Sequence, residues 1–332
     1  MKKRFIFPFI ISALCLSGCF IEIEDNNTDQ KEEETPTVVV DPVVVDNYYK
    51  DYDLTKTGGR LVLELQRNCF DKHKVFIRYG QINSYYSTTT SHNSTEAIAD
   101  GSKVNEWYYT GKRKAGTAGS NREHVWPCAN SGGLWDHTAP VSGFSPHYVD
   151  NSYYVGGGSD LYHVRLCEAK VNTARGNSRF VCFDDPEWKA YKDSVLEFGE
   201  NEGIYMVKLY NYETTSSGGI QYAKQVEPDD HVKGDIARLL LYVWVHYCER
   251  DITPEGSIKS GSNEFKYSDM TGALSLTQVL GYDSEERCLE VLKAWNKLDA
   301  PSDVEKLRND TVQKIQGNRN PFVDYPNLVD QL

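Results

Sequence analysis

The stretch KGDIARLLLYVWVHYCER, residues 233–250, constrains the chain most. No glycine interrupts it after Gly234, and apolar residues cover most of its faces, so a helix buried on all sides is expected there. Arg238 lies inside it and needs an internal partner, Asp235 or another acid, because a buried arginine is ordinarily paired. Two further helices are expected over LEVLKAWNKLD (289–299) and DVEKLRNDTVQKIQGN (303–318). Ser302, with Glu305 three residues on, has the pattern of a capping box at the start of the second. Upstream, GGRLVLELQRNCF (58–70) reads as a short helix, and VFIRYGQI (75–82) as a strand rich in β-branched and aromatic residues. SDLYHVRL (159–166) alternates as a strand does. CEAKVNTARGN (167–177) comes next as a short helix ended by Gly176. Residues 83–103 and 126–159 read as loops, and one as long as the second is usually functional or disordered. The fold class expected is α+β.

The first residues, MKKRFIFPFIISALCLSGC, carry Lys2, Lys3 and Arg4, then an apolar run too short to be read first as a membrane span, then small residues before Cys19. Residues 1–19 are expected to be a lipoprotein signal with Cys19 lipidated; the plainer alternative is a secreted protein cut near Gly18. Residues 20–47 hold acidic groups in large excess over one lysine, Lys31, and read as a disordered tether. The valine runs around Pro42 leave open an edge strand instead. Residues 48–332 are then one domain, without internal repeats. The net charge is −12, and the folded part stays acidic, which argues against a passive nucleic-acid binder with a basic face. An enzyme that holds a few phosphates through a metal ion is not excluded. Outside the signal the cysteines are Cys69, Cys128, Cys167, Cys182, Cys248 and Cys288. An even number in an exported chain favours disulfides over a catalytic thiol at Cys128 or Cys167, and without a CxxC pair a structural zinc site has little support.

The chemistry concentrates in NREHVWPCAN, residues 121–130. A lone histidine is more often a satisfied core residue than a catalyst, and strand neighbours such as Glu123 and His124 point to opposite faces unless a bulge or strand end intervenes. The downstream residues change the balance. DLYHVRL begins at Asp160 and runs into a helix carrying Asn172, Arg175 and Asn177. A strand, loop, strand and helix can hold one hard cation. Glu123 and Asn172 offer a carboxylate and an amide oxygen, ligands suited to Mg²⁺, or to another divalent cation such as Mn²⁺ or Ca²⁺. His124 has the intrinsic pKa to take a proton from water near neutral pH.

At NREHVWP, and at DLYHVRL with VNTARGN, the chain resembles the bacterial endonuclease I family of exported nucleases, in the ββα-metal (His-Me finger) group. EPDDHVKGDIARLLLY (227–242) and WNKLDAPSDVEKLRNDTVQKIQGNRNPFVDYP (295–326) are similar to that family's later segments. The resemblance implies a ββα-metal core surrounded by helices. It implies His124 as general base, Glu123 and Asn172 as metal ligands, and DNA, with RNA in many members, as substrate. Cleavage would have little sequence preference and leave 5′-phosphate ends, one Mg²⁺ stabilising the scissile phosphate. The chain departs from the family pattern in three ways. Tyr162 stands where histidine is usual, with His163 after it; Leu166-Cys167 replaces a proline; and residues 125–159 contain no Arg or Lys. A phosphate-stabilising arginine must then come from elsewhere, Arg175 first and Arg165 second, and His137 and His147 could also contact phosphate. Arg319, His231, His246 and Trp126-Pro127 read as structural.

The reading is a membrane-tethered, extracytoplasmic endonuclease. Its rivals are a non-catalytic surface binding lipoprotein that keeps a nuclease scaffold, and a hydrolase of another phosphodiester such as a lipid. The first would have lost the base or a ligand; the second would want an apolar rim that residues 126–159 do not offer.

Overall fold

The computed structural model describes residues 42–75, 77, 79–86, 95–98, 104–130, 157–189, 195–198, 206–214, 220–247 and 274–332. Helices α1 (Pro42–Tyr49), α2 (Gly58–Lys72) and α3 (Ile82–Tyr85) come first. Strands β1 (Asn105–Trp107), β2 (Lys112–Lys114), β3 (Ser120–His124) and β4 (Val164–Glu168) lead into helix α4 (Ala169–Arg175). Strands β5 (Arg179–Phe180), β6 (Val195–Phe198), β7 (Met206–Thr214) and β8 (Ile220–Glu227) precede helices α5 (Asp230–Tyr247), α6 (Glu285–Leu298), α7 (Asp303–Gln316) and α8 (Pro321–Asp324). The class is α+β. β1 pairs with β2 and β3 with β4, both antiparallel, while β5-β8-β7-β6 form a four-stranded sheet. A bridge between Tyr108 and Cys167 ties the end of β1 to β4.

Helix α5 buries 15 of its 18 residues, as its all-round apolar character requires. Arg238 is fully buried and fully answered: its guanidinium donates to the Glu305 carboxylate, Asp235, the Asn296 side chain and the Asp299 carbonyl. At Gly234 a Cβ would collide with the Asp299 carbonyl, so only glycine lets α5 approach the end of α6 this closely. Ser302 caps α7 by accepting the Glu305 amide at 3.1 Å, and Gly317 ends that helix at a φ of +97°.

Three sequence expectations change. The described residues among 75–82 do not form a strand. The Lys74 and Val75 amides donate to the Gln316 carbonyl at the end of α7, and the chain then turns through Tyr79–Gln81 into α3. Ile77 and Ile82, both buried, lie an odd number of residues apart, so a straight strand would turn one of them outward. Strand β4 starts at Val164 rather than Ser159, because the Asp160 carboxylate accepts the Tyr162 amide at 2.7 Å and holds a turn there. The segment read as tether also ends early. Helix α1 begins at Pro42, a residue suited to the first helical position, and buries Val45, Tyr48 and Tyr49 at helical spacing. Tyr49 donates to Asp324 at 2.7 Å, and Tyr325 donates to Asp46 at 2.7 Å. The valines after Pro42 therefore belong to a docked helix and not to an edge strand, while those before it lie outside the described residues.

Cys69, Cys167, Cys182 and Cys288 form no disulfide, against the expectation; Cys69, Cys167 and Cys288 are buried and pack as small apolar groups. Burial pushes the Cys167 thiol well up, so the thiolate needed of a nucleophile is disfavoured. The side chains of Cys128 and Cys248 lie outside the described residues, as do Cys19 with its signal and His137 and His147. Among the described residues no helix is long and apolar enough to cross a membrane.

Candidate active site

The site is built on β3, β4 and α4. β3 and β4 pair antiparallel with Glu123 opposite Arg165 and His124 opposite Val164. α4 follows β4 at once and ends at Gly176, whose φ of +53° falls in the region glycine tolerates. Strand alternation sorts the side chains of β3. Arg122 and His124 lie against the ring of Tyr79 on one face, and Glu123 points the other way, toward α4.

His124 is half-buried. Its ring stacks on Tyr79 with centroids 5.4 Å apart and meets His163 edge-on at 5.5 Å. Nε2 lies 2.8 Å from the Gly158 carbonyl oxygen. A carbonyl only accepts, so Nε2 carries the hydrogen, and the lone pair of the neutral ring sits on Nδ1. His163 braces the same turn. Its Nδ1 donates to the Gly157 carbonyl at 2.6 Å, and its Nε2 accepts the Trp126 amide at 2.9 Å. Both bonds require a neutral ring, and burial holds the His163 pKa down at about 3.

Glu123 is buried, and burial raises its pKa to about 7 although Arg175 and Tyr109 favour the carboxylate. Tyr109 donates to Oε1 at 2.7 Å and the Arg175 Nη1 at 3.3 Å. Among the described residues none donates to Oε2. Tyr109 has a φ of +68°, a left-handed conformation rare for a bulky residue, and sits buried with its hydroxyl on the carboxylate. Asn172 is half-buried on α4, one turn before Arg175 and on the same side of the helix. Its Nδ2 donates to the Arg122 carbonyl at 3.1 Å, which leaves Oδ1 as the acceptor end of the amide. Asn172 is thus pinned to β3 one residue from Glu123. A carboxylate oxygen and an amide oxygen are donors of the hard kind that Mg²⁺ prefers.

Two expected phosphate contacts do not hold. Arg175 is 0 % exposed, and its guanidinium donates to Glu123 and to the carbonyls of His124 and Val125. Arg165 is 7 % exposed; it pairs with Glu96 at 3.3 Å and lies over the Tyr108 ring. Both cations hold β3 and β4 in the interior, because a buried guanidinium is stable only where acceptors surround it. Tyr162 is likewise internal, its hydroxyl 3.0 Å from the carbonyls of Asn309 and Asn318.

Sequence reasoning passed over Arg122, Tyr79, Tyr109 and Asp160. Period-two alternation puts Arg122 on the face of His124, so that residue was legible; Tyr79 and Tyr109 come from distant segments and were not. Asp160 is a buried hub. Oδ2 accepts the hydroxyls of Tyr242 at 2.7 Å and Tyr247 at 2.6 Å, and Oδ1 accepts the Tyr162 amide and the Gln316 side chain. Asp160 also belongs to the one His/Asp/His group among the described residues able to hold a metal ion, with ligand atoms of His73, Asp160 and His246 within 4.8 Å of one another. There His73 Nδ1 and His246 Nε2 are hydrogen-bonded at 3.0 Å, and His73 Nε2 meets the Val75 carbonyl at 3.1 Å. An ion could enter only by displacing such bonds.

A family model described as Endonuclease I matches residues 61–327. The chain is 32% identical over 213 residues to the extracellular ribonuclease of Bacillus subtilis (strain 168), covering 64% of this chain and 53% of that protein. It is 31% identical over 222 residues to the extracellular ribonuclease of Bacillus amyloliquefaciens, covering 66% of this chain and 56% of that protein. The chain thus spans about half the length of the curated relatives it matches.

Proposed function

Because the chain belongs to the endonuclease I family, we propose that it is an exported, divalent-metal-dependent endonuclease that hydrolyses phosphodiester bonds of DNA and RNA with little sequence preference. The observation that carries this reading is the bond from His124 Nε2–H to the Gly158 carbonyl. It orients an imidazole whose basic nitrogen is Nδ1, on the strand that also carries Glu123 and to which Asn172 is bonded. β3, β4 and α4 serve as the ββα-metal unit. Glu123, through Oε2, and Asn172, through Oδ1, would hold Mg²⁺ or another divalent cation. When bound, the ion supplies positive charge to the scissile phosphate and the departing oxygen.

His124 takes a proton from water at Nδ1, and the water oxygen attacks phosphorus. The bond from phosphorus to the 3′ oxygen breaks, that oxygen takes a proton from solvent and His124 later gives its own back to solvent, leaving a 5′-phosphate on one fragment and a 3′-hydroxyl on the other. Imidazolium formed at Nδ1 keeps its Nε2–H on Gly158, so the ring need not move as it charges. Arg175 and Tyr109 keep Glu123 in place and favour its ionised form. RNA is included because the curated relatives are named ribonucleases. A lipid anchor at Cys19 would keep the enzyme at the cell surface; a secreted chain would differ in location alone.

The test is incubation of the protein with supercoiled plasmid and with single-stranded RNA, in Mg²⁺ or in chelator, beside His124→Ala. Cleavage by the native protein in Mg²⁺ alone, lost in His124→Ala, is expected. Cleavage that survives both chelator and substitution overturns the mechanism, and no cleavage of either polymer overturns the activity.

A further inference from the structure

We propose that Arg122, laid over Tyr79, is the cation that grips a backbone phosphate of the nucleic acid beside His124. This rests on the endonuclease reading and adds the binding residue that Arg175 and Arg165 do not supply. Arg122 stands two residues before His124 on β3, on the same face and about 7 Å away along the strand. Its guanidinium carbon is 3.8 Å from the Tyr79 ring centroid, and Nη1 donates to the Tyr79 carbonyl at 2.8 Å. The residue is half-buried, so it reaches solvent where Arg175 does not.

Its charge separates it from the arginines of the interior. Arg165, Arg175, Arg238, Arg308 and Arg319 each pair with a carboxylate. Among the described residues Arg122 makes no ion pair, and the Tyr79 carbonyl takes one of its five N–H groups. An arginine fixed by an aromatic ring and a carbonyl, yet without a counter-charge, has its planar fork held ready for an anion. The anion expected on the His124 face of a phosphodiesterase is a phosphate. The residues from 125 to 159 contain no Arg or Lys, so the sequence just after the base offers no competing cation.

The experiment measures binding of a short fluorescent single-stranded DNA to the His124→Ala protein across a salt series, with and without a second substitution. Arg122→Gln should weaken binding roughly tenfold and reduce the salt slope by about one counterion. Arg122→Lys should restore the slope but not the full affinity, since lysine keeps the charge and loses the fork. Arg60→Gln, on the exposed side of α2, serves as the reference that changes neither. With His124 intact, Arg122→Gln should raise KM more than it lowers kcat. Melting temperatures separate a structural role: a lower melting point with affinity and slope equal to Arg60→Gln overturns the proposal, and so does no change at all. If the native protein cleaves and needs His124 while Arg122→Gln is indifferent, this inference fails alone. If the native protein cleaves nothing, the endonuclease reading fails with it.

Discussion

The Nε2 of His124 lies 2.8 Å from the carbonyl oxygen of Gly158, and this bond places the lone pair of the neutral ring on Nδ1. Gly157, one residue earlier, gives its carbonyl to His163 at 2.6 Å. Two histidines thus hold two consecutive carbonyls of the turn before β4. His124 is half-buried and His163 fully buried, so the first reaches solvent and the second does not.

From this pairing, His124→Ala should lower kcat by about 10²–10⁴-fold, the range for loss of a general base. The melting temperature should stay near the native value, because a half-buried ring leaves little core behind. Initial rates on plasmid DNA, read beside a thermal melt, check both parts.

Arg175→Ala is expected to behave as a folding defect. It strands the buried Glu123 carboxylate and removes the donor from the His124 and Val125 carbonyls, at a cost of about 3–5 kcal/mol. Urea unfolding measures this. A variant as stable as the native protein but slow on substrate would return Arg175 to a phosphate-contact role.

The pH dependence of stability has two opposed contributions. The folded pKa of His163 is about 3, below the ordinary histidine value, so its contribution is present above about pH 6.5 and is lost as pH falls toward 3. The folded pKa of Glu123 is about 7, above the ordinary glutamate value, so its contribution is present below about pH 4.5 and is lost as pH rises through 7. Between about pH 5 and 7 the two offset each other; below about pH 4.5 the histidine acts unopposed. Denaturant unfolding of His163→Gln, whose amide can mimic both hydrogen bonds, isolates the histidine. The native protein should lose about 2 kcal/mol more than this variant between pH 7 and pH 5. Parallel curves for the two proteins would mean that His163 charges in the folded state.

Asp160→Ala should cost more than about 3 kcal/mol, since the Tyr242 and Tyr247 hydroxyls, the Tyr162 amide and the Gln316 side chain all lose a buried acceptor. The loss should be seen in melting before it is seen in activity per folded molecule. A mild effect would show that the cluster rearranges or takes in water.

Much of the helical frame was legible. The apolar run now seen as α5, the Ser302 cap of α7 and the Gly176 end of α4 each derive from a local rule about burial, capping or positive φ. The start of β4 and residues 75–82 were not, because their backbone partners are distant: Asp160 is held by α5 and α7, and the Lys74 amide by Gln316. Period and propensity carry no record of such pairings.

By itself the sequence determined the α+β class and the family resemblance, since motif order and residue chemistry are local properties of the chain. Tertiary structure decided which arginines are spent inside and which one shares the Tyr79 ring with His124. Arg122, Arg165 and Arg175 are chemically alike in one dimension; the acceptors that surround each come from Glu96, Tyr79 and Glu123, brought together only when the strands pair and α4 packs across them.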